Sequence, residues 1–173
     1  LALGTATSTM AAQALGAGQA ERAREIALTG LRLGLWAGLA TMAILYGFRN
    51  GLSALFSTDD AVVSMAIQLV VIVCFFHFFD SMQTQLTLVL RAWHITTSPM
   101  LVHLAALWGI GLAGGWWLTY VYPASGGPWA EWLSAAAGFW VAGAVALAFA
   151  TVGVAGLLWH VWRASPDTAT RTR

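Results

Sequence analysis

Apolar residues dominate five stretches of the chain, and short polar stretches separate them. The apolar stretches cover residues 1–15, 26–48, 61–90, 100–122 and 132–162. A helix needs about 20 apolar residues to cross a hydrocarbon core of about 30 Å, so the first stretch is too short and the other four are long enough. The pattern predicts about five transmembrane helices, the first of them truncated, followed by a polar tail over residues 163–173.

The polar stretches carry signals for helix ends. Gly16 and Gly18 follow the first apolar stretch, as glycines do after a helix C-terminus. Residues 19–25 read as a charged connector. Asp59 and Asp60 precede the third apolar stretch, where negative charge suits the N-terminal helix dipole. Within the second stretch, Gly34 and Gly38 have the spacing that lets membrane helices approach closely.

Composition supports a membrane protein. Hydrophobic residues make up 59% of the chain and charged residues 9%, against about 25% charged residues in soluble domains. We therefore expect an all-α integral membrane protein whose main partner is the lipid bilayer. The arginines are scattered, so no basic patch points to nucleic acid. One cysteine, Cys74, excludes an intrachain disulfide.

The arginines are distributed unevenly between the two ends of the predicted helices. Arg49 alone falls in a connector on one side. Six lie on the other side: Arg22, Arg24, Arg91, Arg163, Arg171 and Arg173. Because cytoplasmic loops carry the excess of positive residues, we expect the C-terminus of this multi-pass chain to be cytoplasmic.

A single carboxylate, Asp80, interrupts the third apolar stretch. It precedes Arg91 by eleven residues, or roughly 16 Å along a helix, which is about half of the hydrocarbon core. An acidic residue near the bilayer centre costs at least ~2.5 kcal/mol and usually marks an ion or substrate pathway. The alternative is that Asp80 and His77 only bond to a neighbouring helix and hold the bundle together.

Polar residues accompany Asp80 on one side of the predicted helix. At about 100° per residue, His77, Thr84 and Thr87 fall on roughly the side of Asp80, and Gln83 lies close by. We expect this seam to line a water-accessible cavity.

Sequence signatures of enzymes and metal sites are absent. No histidine pairs with another at helical spacing or lies beside the cysteine, and no phosphate-binding loop, GxSxG or HExxH motif occurs. We expect no enzyme activity, no catalytic residues, no metal centre and no organic cofactor.

Three stretches together resemble the C-terminal half of the multidrug and toxic compound extrusion (MATE) transporters. They are STMAAQALGAGQAERAREIA at 8–27, LSALFSTDDAVVSMA at 52–66, and FDSMQTQLTLVLRAWHITTSP at 79–99. The resemblance implies twelve helices in two lobes, of which this chain would hold the eighth to the twelfth. Its missing partner would be the N-terminal half of the same transporter.

The resemblance also implies roles for particular residues. Asp80 matches the acidic residue that the bacterial cation-coupled branch uses for proton or Na⁺ coupling, so Na⁺ could bind there. Phe76 falls where some members carry a cavity tyrosine. The implied protein exports lipophilic and cationic small molecules from the bacterial inner (plasma) membrane, with H⁺ or Na⁺ as the coupling ion.

Two alternatives stay open from the sequence. One is a structural or assembly subunit of a membrane complex, in which Asp80 serves helix association. The other is a lipid-linked oligosaccharide flippase of the same superfamily. A flippase should present several cationic residues to its cavity, whereas the helices here offer Arg32 and little else.

Overall fold

The computed structural model describes residues 1–133 and 136–164. In this part of the chain, six helical elements follow one another and no strand occurs: α1 (Ala2–Gly16), α2 (Ala20–Ala54), α3 (Asp60–Ala92), α4 (Thr97–Ser125), the short α5 (Ala130–Leu133) and α6 (Ala136–Ala164). Four of them, α2, α3, α4 and α6, are long and apolar enough to cross a membrane. The expected all-α membrane bundle is confirmed. The expected tail lies outside the described residues, apart from Arg163 and Ala164.

The helices extend beyond the apolar stretches. The charged residues 20–25, expected as a connector, form the first turns of α2, and α2 continues past Arg49 to Ala54. At 35 residues α2 is about 52 Å long, whereas the hydrocarbon core is about 30 Å thick. Hydrophobicity therefore marks the part of a helix that suits lipid, and the charged turns continue into water.

The helix ends follow their local sequence signals. Gly18 adopts a left-handed φ of 75° after α1, and the N–H of Gln19 donates to the Ala14 carbonyl at 2.9 Å, which is the bond of a Schellman cap. At the start of α3, the Asp59 carboxylate accepts from the backbone N–H groups of Ala61 and Val62 at 2.9 and 3.4 Å. The expected roles of these residues are confirmed.

The helix α4 is not α-helical throughout. Two π-helical segments, Ala106–Ala113 and Trp117–Val121, interrupt it, and a 3₁₀ turn, Tyr122–Ser125, ends it. Most π-helical segments in proteins are single turns, and they are frequent at functional sites. The first segment is rich in small residues, which impose little side-chain restraint on the wider backbone.

The centre of the bundle is α3, which packs against α1 and α2 on one side and α6 on another, while α4 packs mainly against α6. A cluster of buried side chains joins α2, α3 and α6: Ala27, Val89, Leu90, Val154 and Leu158. The guanidinium of Arg24 donates to the carbonyl of Trp162 at 2.7 Å. This bond ties the start of α2 to the end of α6.

Three buried glycines, Gly30, Gly34 and Gly38, follow one face of α2, and the close approach of its neighbours depends on the first two. A methyl group on Gly30 would overlap the Thr7 side chain, with only 2.8 Å to Thr7 Cβ, and one on Gly34 would overlap Gln85. The expectation of close packing is confirmed at Gly34, and the same spacing extends to Gly30. At Gly38 a methyl group would lie 3.5 Å from Phe78, which is an ordinary contact.

We expect the Gly30→Ala variant to be less stable than the matched variant Gly47→Ala. Both substitutions gain the same helix propensity, but Gly47 has no atom within 4 Å of the added methyl group. The Thr7 hydroxyl is held by the Leu3 carbonyl at 2.8 Å, so its side chain cannot give way easily. Overpacking should separate the two variants by about 1–3 kcal/mol in a denaturant titration of the detergent-solubilised protein. Equal stability would show that α1 and α2 are not in contact at Gly30.

Candidate functional site

Asp80 lies within α3, twelve residues before its last residue, Ala92. That separation is about 18 Å along the helix axis. Asp80 is partly exposed and lies on the face of α3 beside the start of α1. A partly exposed carboxylate at this depth is accessible to an ion or to a small molecule.

A cavity of about 260 Å³ adjoins Asp80. Four polar side chains of α3 line it together with Asp80: His77, Ser81, Thr84 and Gln85. Its apolar wall comes from Leu1, Gly4 and Leu88. The structure therefore brings three of the expected residues, Asp80, His77 and Thr84, to one cavity.

Gln85 is the most enclosed polar residue of this cavity. Its side chain is 7% exposed and fits between Gly4 of α1 and Gly34 of α2. A methyl group on Gly4 would lie 3.1 Å from its Oε1. That oxygen has no hydrogen-bond partner among the described residues. Leaving a buried acceptor unpaired costs about 1–3 kcal/mol, so Gln85 is a candidate functional residue.

The backbone carbonyl that precedes Asp80 accepts a hydrogen bond from a side chain of α6. The hydroxyl of Thr151 lies 3.1 Å from the Phe79 carbonyl and 2.7 Å from the Leu147 carbonyl of its own helix. Phe79 immediately precedes Asp80, so Thr151 fixes the distance between α6 and the part of α3 that carries the carboxylate.

The other expected cavity residues lie elsewhere. Gln83, 7% exposed, donates from Nε2 to the Thr87 hydroxyl at 3.1 Å, and both line a second cavity between α3 and α4. Phe76 packs edge-to-face on Trp140 of α6, with ring centroids 5.4 Å apart. The expected single seam is thus divided between two cavities, because α3 has neighbours on several sides.

The sequence interpretation missed Ser81 and Gln85. Both point about 100–140° around α3 from Asp80, outside the sector that the seam occupied. The signal that could have found Gln85 is the pair of small residues opposite it, Gly4 and Gly34, which leave room for a long polar side chain between helices.

The chemistry of the cavity suits a proton or a hard cation. Its lining offers carboxylate, hydroxyl and amide oxygens, the ligands that hard cations prefer. Among the described residues, none forms an ion pair with Asp80 or donates a hydrogen bond to its carboxylate. The same part of the chain contains no group of three His, Cys, Asp or Glu side chains close enough to bind a metal ion.

Comparison with known proteins gives consistent similarities. The model of the MatE family matches residues 1–117. A probable multidrug resistance protein NorM of Aromatoleum aromaticum is 37% identical over 172 residues, which cover 98% of this chain and 36% of that protein. The multidrug resistance protein MdtK of Proteus mirabilis is 28% identical over 170 residues, covering 96% of this chain and 35% of the relative.

A third similar protein is the multidrug resistance protein PmpM of Pseudomonas aeruginosa. It is 32% identical over 114 residues, which cover 66% of this chain and 24% of that protein. The chain spans about a third of the length of the curated relatives that it matches.

Proposed function

Because this chain belongs to the MatE family, we propose that it is part of a secondary active exporter in which Asp80 couples drug efflux to the entry of a proton or Na⁺. The exported substrates are lipophilic cations, and no organic cofactor takes part. The chain forms helices of the C-terminal lobe, and the N-terminal half of the transporter is its partner. The membrane is the bacterial inner membrane.

The observation that carries this proposal is the unpaired state of Asp80 in the described part of the chain. A carboxylate that served only helix association would bond to a neighbouring helix, as the structural alternative requires. Asp80 instead faces a cavity, with His77 exposed beside it. A carboxylate in this position can bind a proton or Na⁺, or it can attract a cationic drug.

Competition for one negative charge gives the exchange mechanism. When Asp80 is ionised and faces outward, a proton or Na⁺ neutralises it and the drug leaves. When the lobes rock to the inward-facing state, the cation leaves and the next drug binds. Exchange of one proton or Na⁺ for one drug cation moves no net charge, so the concentration gradient of the coupling ion drives efflux. A tenfold ion gradient supplies about 1.4 kcal/mol and supports a drug gradient of about tenfold.

The charge distribution supports a cytoplasmic C-terminus. Arg24 and Arg163 lie at the end of the bundle where α2 begins and α6 ends, and Arg91 lies in the last turn of α3 at the same end. Asp59, Asp60 and Glu131 lie at or beside the starts of helices at the opposite end. The arginine-rich end fits the cytoplasmic side.

Transport by the full-length protein in proteoliposomes tests the proposed function. We expect efflux of a fluorescent lipophilic cation when a proton gradient or a Na⁺ gradient is imposed, and the gradient that drives efflux identifies the coupling ion. Vesicles without protein give the leak rate. Folded protein that moves no substrate under either gradient would contradict the proposal and would favour the structural subunit or the flippase.

A further inference from the structure

A second cavity, of about 450 Å³, lies between α3 and α4. It arises because α4 packs mainly against α6, which leaves a cleft beside α3. The Asp80 cavity lies on the α1 side of α3, and the two cavities share no lining residue. The efflux mechanism assigns no role to this cleft.

The cleft is polar at its mouth and apolar in its depth. Arg91, in the last turn of α3, and Thr96, just before α4, lie at the mouth. Trp108 lies eleven residues beyond the start of α4, or roughly 16 Å deeper. The wall between them includes Met100, Leu104 and Trp108, which are 58%, 49% and 65% exposed, so the cleft opens sideways.

Arg91 and His103 line the cleft, and no carboxylate is among its lining residues. Arg91 forms no ion pair with any residue that the structure describes. His103 lies six residues beyond the start of α4, or about 9 Å deeper than Thr97, and lines the same cleft. The guanidinium and the imidazole therefore favour a ligand that carries negative charge and several acceptor oxygens, as a phosphate group does.

The position of the mouth favours a lipid as the source of that phosphate. Arg91 lies at the same end as the aromatic pair Trp93 and Trp162, whose ring centroids are 6.0 Å apart. Tryptophans of membrane proteins concentrate at the level of the lipid headgroups. The Arg91 end is the end that we propose to be cytoplasmic, and basic pockets between transmembrane helices on the cytoplasmic side bind anionic headgroups.

We propose that the α3–α4 cleft binds an anionic phospholipid, with the phosphate at Arg91 and His103 and an acyl chain along Leu104, Leu107 and Trp108. The lipid fills the space between two helices that have little direct contact with each other. The π-helical segment Ala106–Ala113 contributes Leu107 and Trp108 to this wall, so the bound chain contacts the irregular part of α4.

Native mass spectrometry of the full-length protein, titrated with phosphatidylglycerol or phosphatidylcholine, tests this site. We expect tighter binding of phosphatidylglycerol, and about fivefold weaker binding in Arg91→Gln, since one basic residue near the surface contributes about 1 kcal/mol. Arg91→Lys should retain most of the affinity. His103→Gln should weaken binding as well, because it removes the imidazole from the wall of the same cleft.

The matched control is Arg163→Gln. Arg163 is also in the last turn of its helix at the same end, but its guanidinium lies over the Trp159 ring, 4.5 Å from the centroid, outside the cleft. Equal weakening by both variants would mean general surface attraction and would overturn the site. Equal binding of the two lipids would also overturn it. Displacement of the lipid by millimolar inorganic phosphate would assign the cleft to a free anion instead.

Discussion

Replacing Asp80 with asparagine is expected to abolish gradient-driven efflux. Asparagine keeps the shape of the side chain but can neither release a proton nor attract Na⁺ or a cationic drug by its charge. Asp80 is the only acidic residue lining its cavity in the described part of the chain. At one-for-one exchange, the drug gradient that a tenfold ion gradient supports should therefore fall from about tenfold to none.

The measurement is the accumulation ratio of a fluorescent lipophilic cation in proteoliposomes under the gradient that drives the wild type. Asp60→Asn is the matched control, because Asp60 is on the same helix but is exposed in its first turn. The two variants should elute from a sizing column like the wild type. Coupled efflux that persists in Asp80→Asn would remove Asp80 from the mechanism and leave it a packing role.

Truncating Leu90 to alanine is expected to produce the largest loss of stability. Leu90 is fully buried and belongs to the cluster in which α2, α3 and α6 meet. Trp93, Ile95 and Val102 pack against this cluster. Removing its branched side chain leaves a void. The three helices cannot all move inward to fill it, because each is also held by its other contacts. Such a substitution costs about 2–5 kcal/mol.

The free energy of unfolding in a denaturant titration of the detergent-solubilised protein measures this effect. The control is Leu112→Ala on α4. Leu112 is 54% exposed on the outside of the bundle, so its side chain contacts lipid or detergent rather than other helices. Truncating it should change stability little, because lipid tails are as apolar as leucine. A loss of stability in Leu90→Ala no greater than in Leu112→Ala would contradict the central position of α3.

The course of the chain through the membrane could be predicted from sequence alone. Twenty apolar residues in a row must form a helix there, because lipid offers no partner to backbone polar groups. The position of Asp80 within a single long helix also followed from the unbroken apolar stretch around it. The bounds of α2 could not be predicted in the same way, because the charged turns over residues 20–25 continue the helix in water, where sequence preference is weak.

The composition of the Asp80 cavity could be predicted only in part. Periodicity gives the angle of each side chain around α3 but not the helix that covers each sector. Phe76 is covered by Trp140 of α6, and Gln85 by Gly4 and Gly34. Both facts depend on which helices neighbour α3. The π-helical segments of α4 were equally hidden, since the alternative hydrogen-bond pattern leaves apolar periodicity almost unchanged.

The bond from Arg24 to the Trp162 carbonyl has a consequence for biosynthesis. Its two partners are 138 residues apart. At about 5–20 residues per second, a ribosome completes the second partner roughly 7–28 s after the first. Val89 and Leu90 of α3 are completed roughly 3–14 s before Val154 and Leu158 of α6, against which they pack. The face of α3 that packs against α6 is therefore uncovered during this time. Lipid or the insertion machinery must cover it until α6 has been synthesised and inserted.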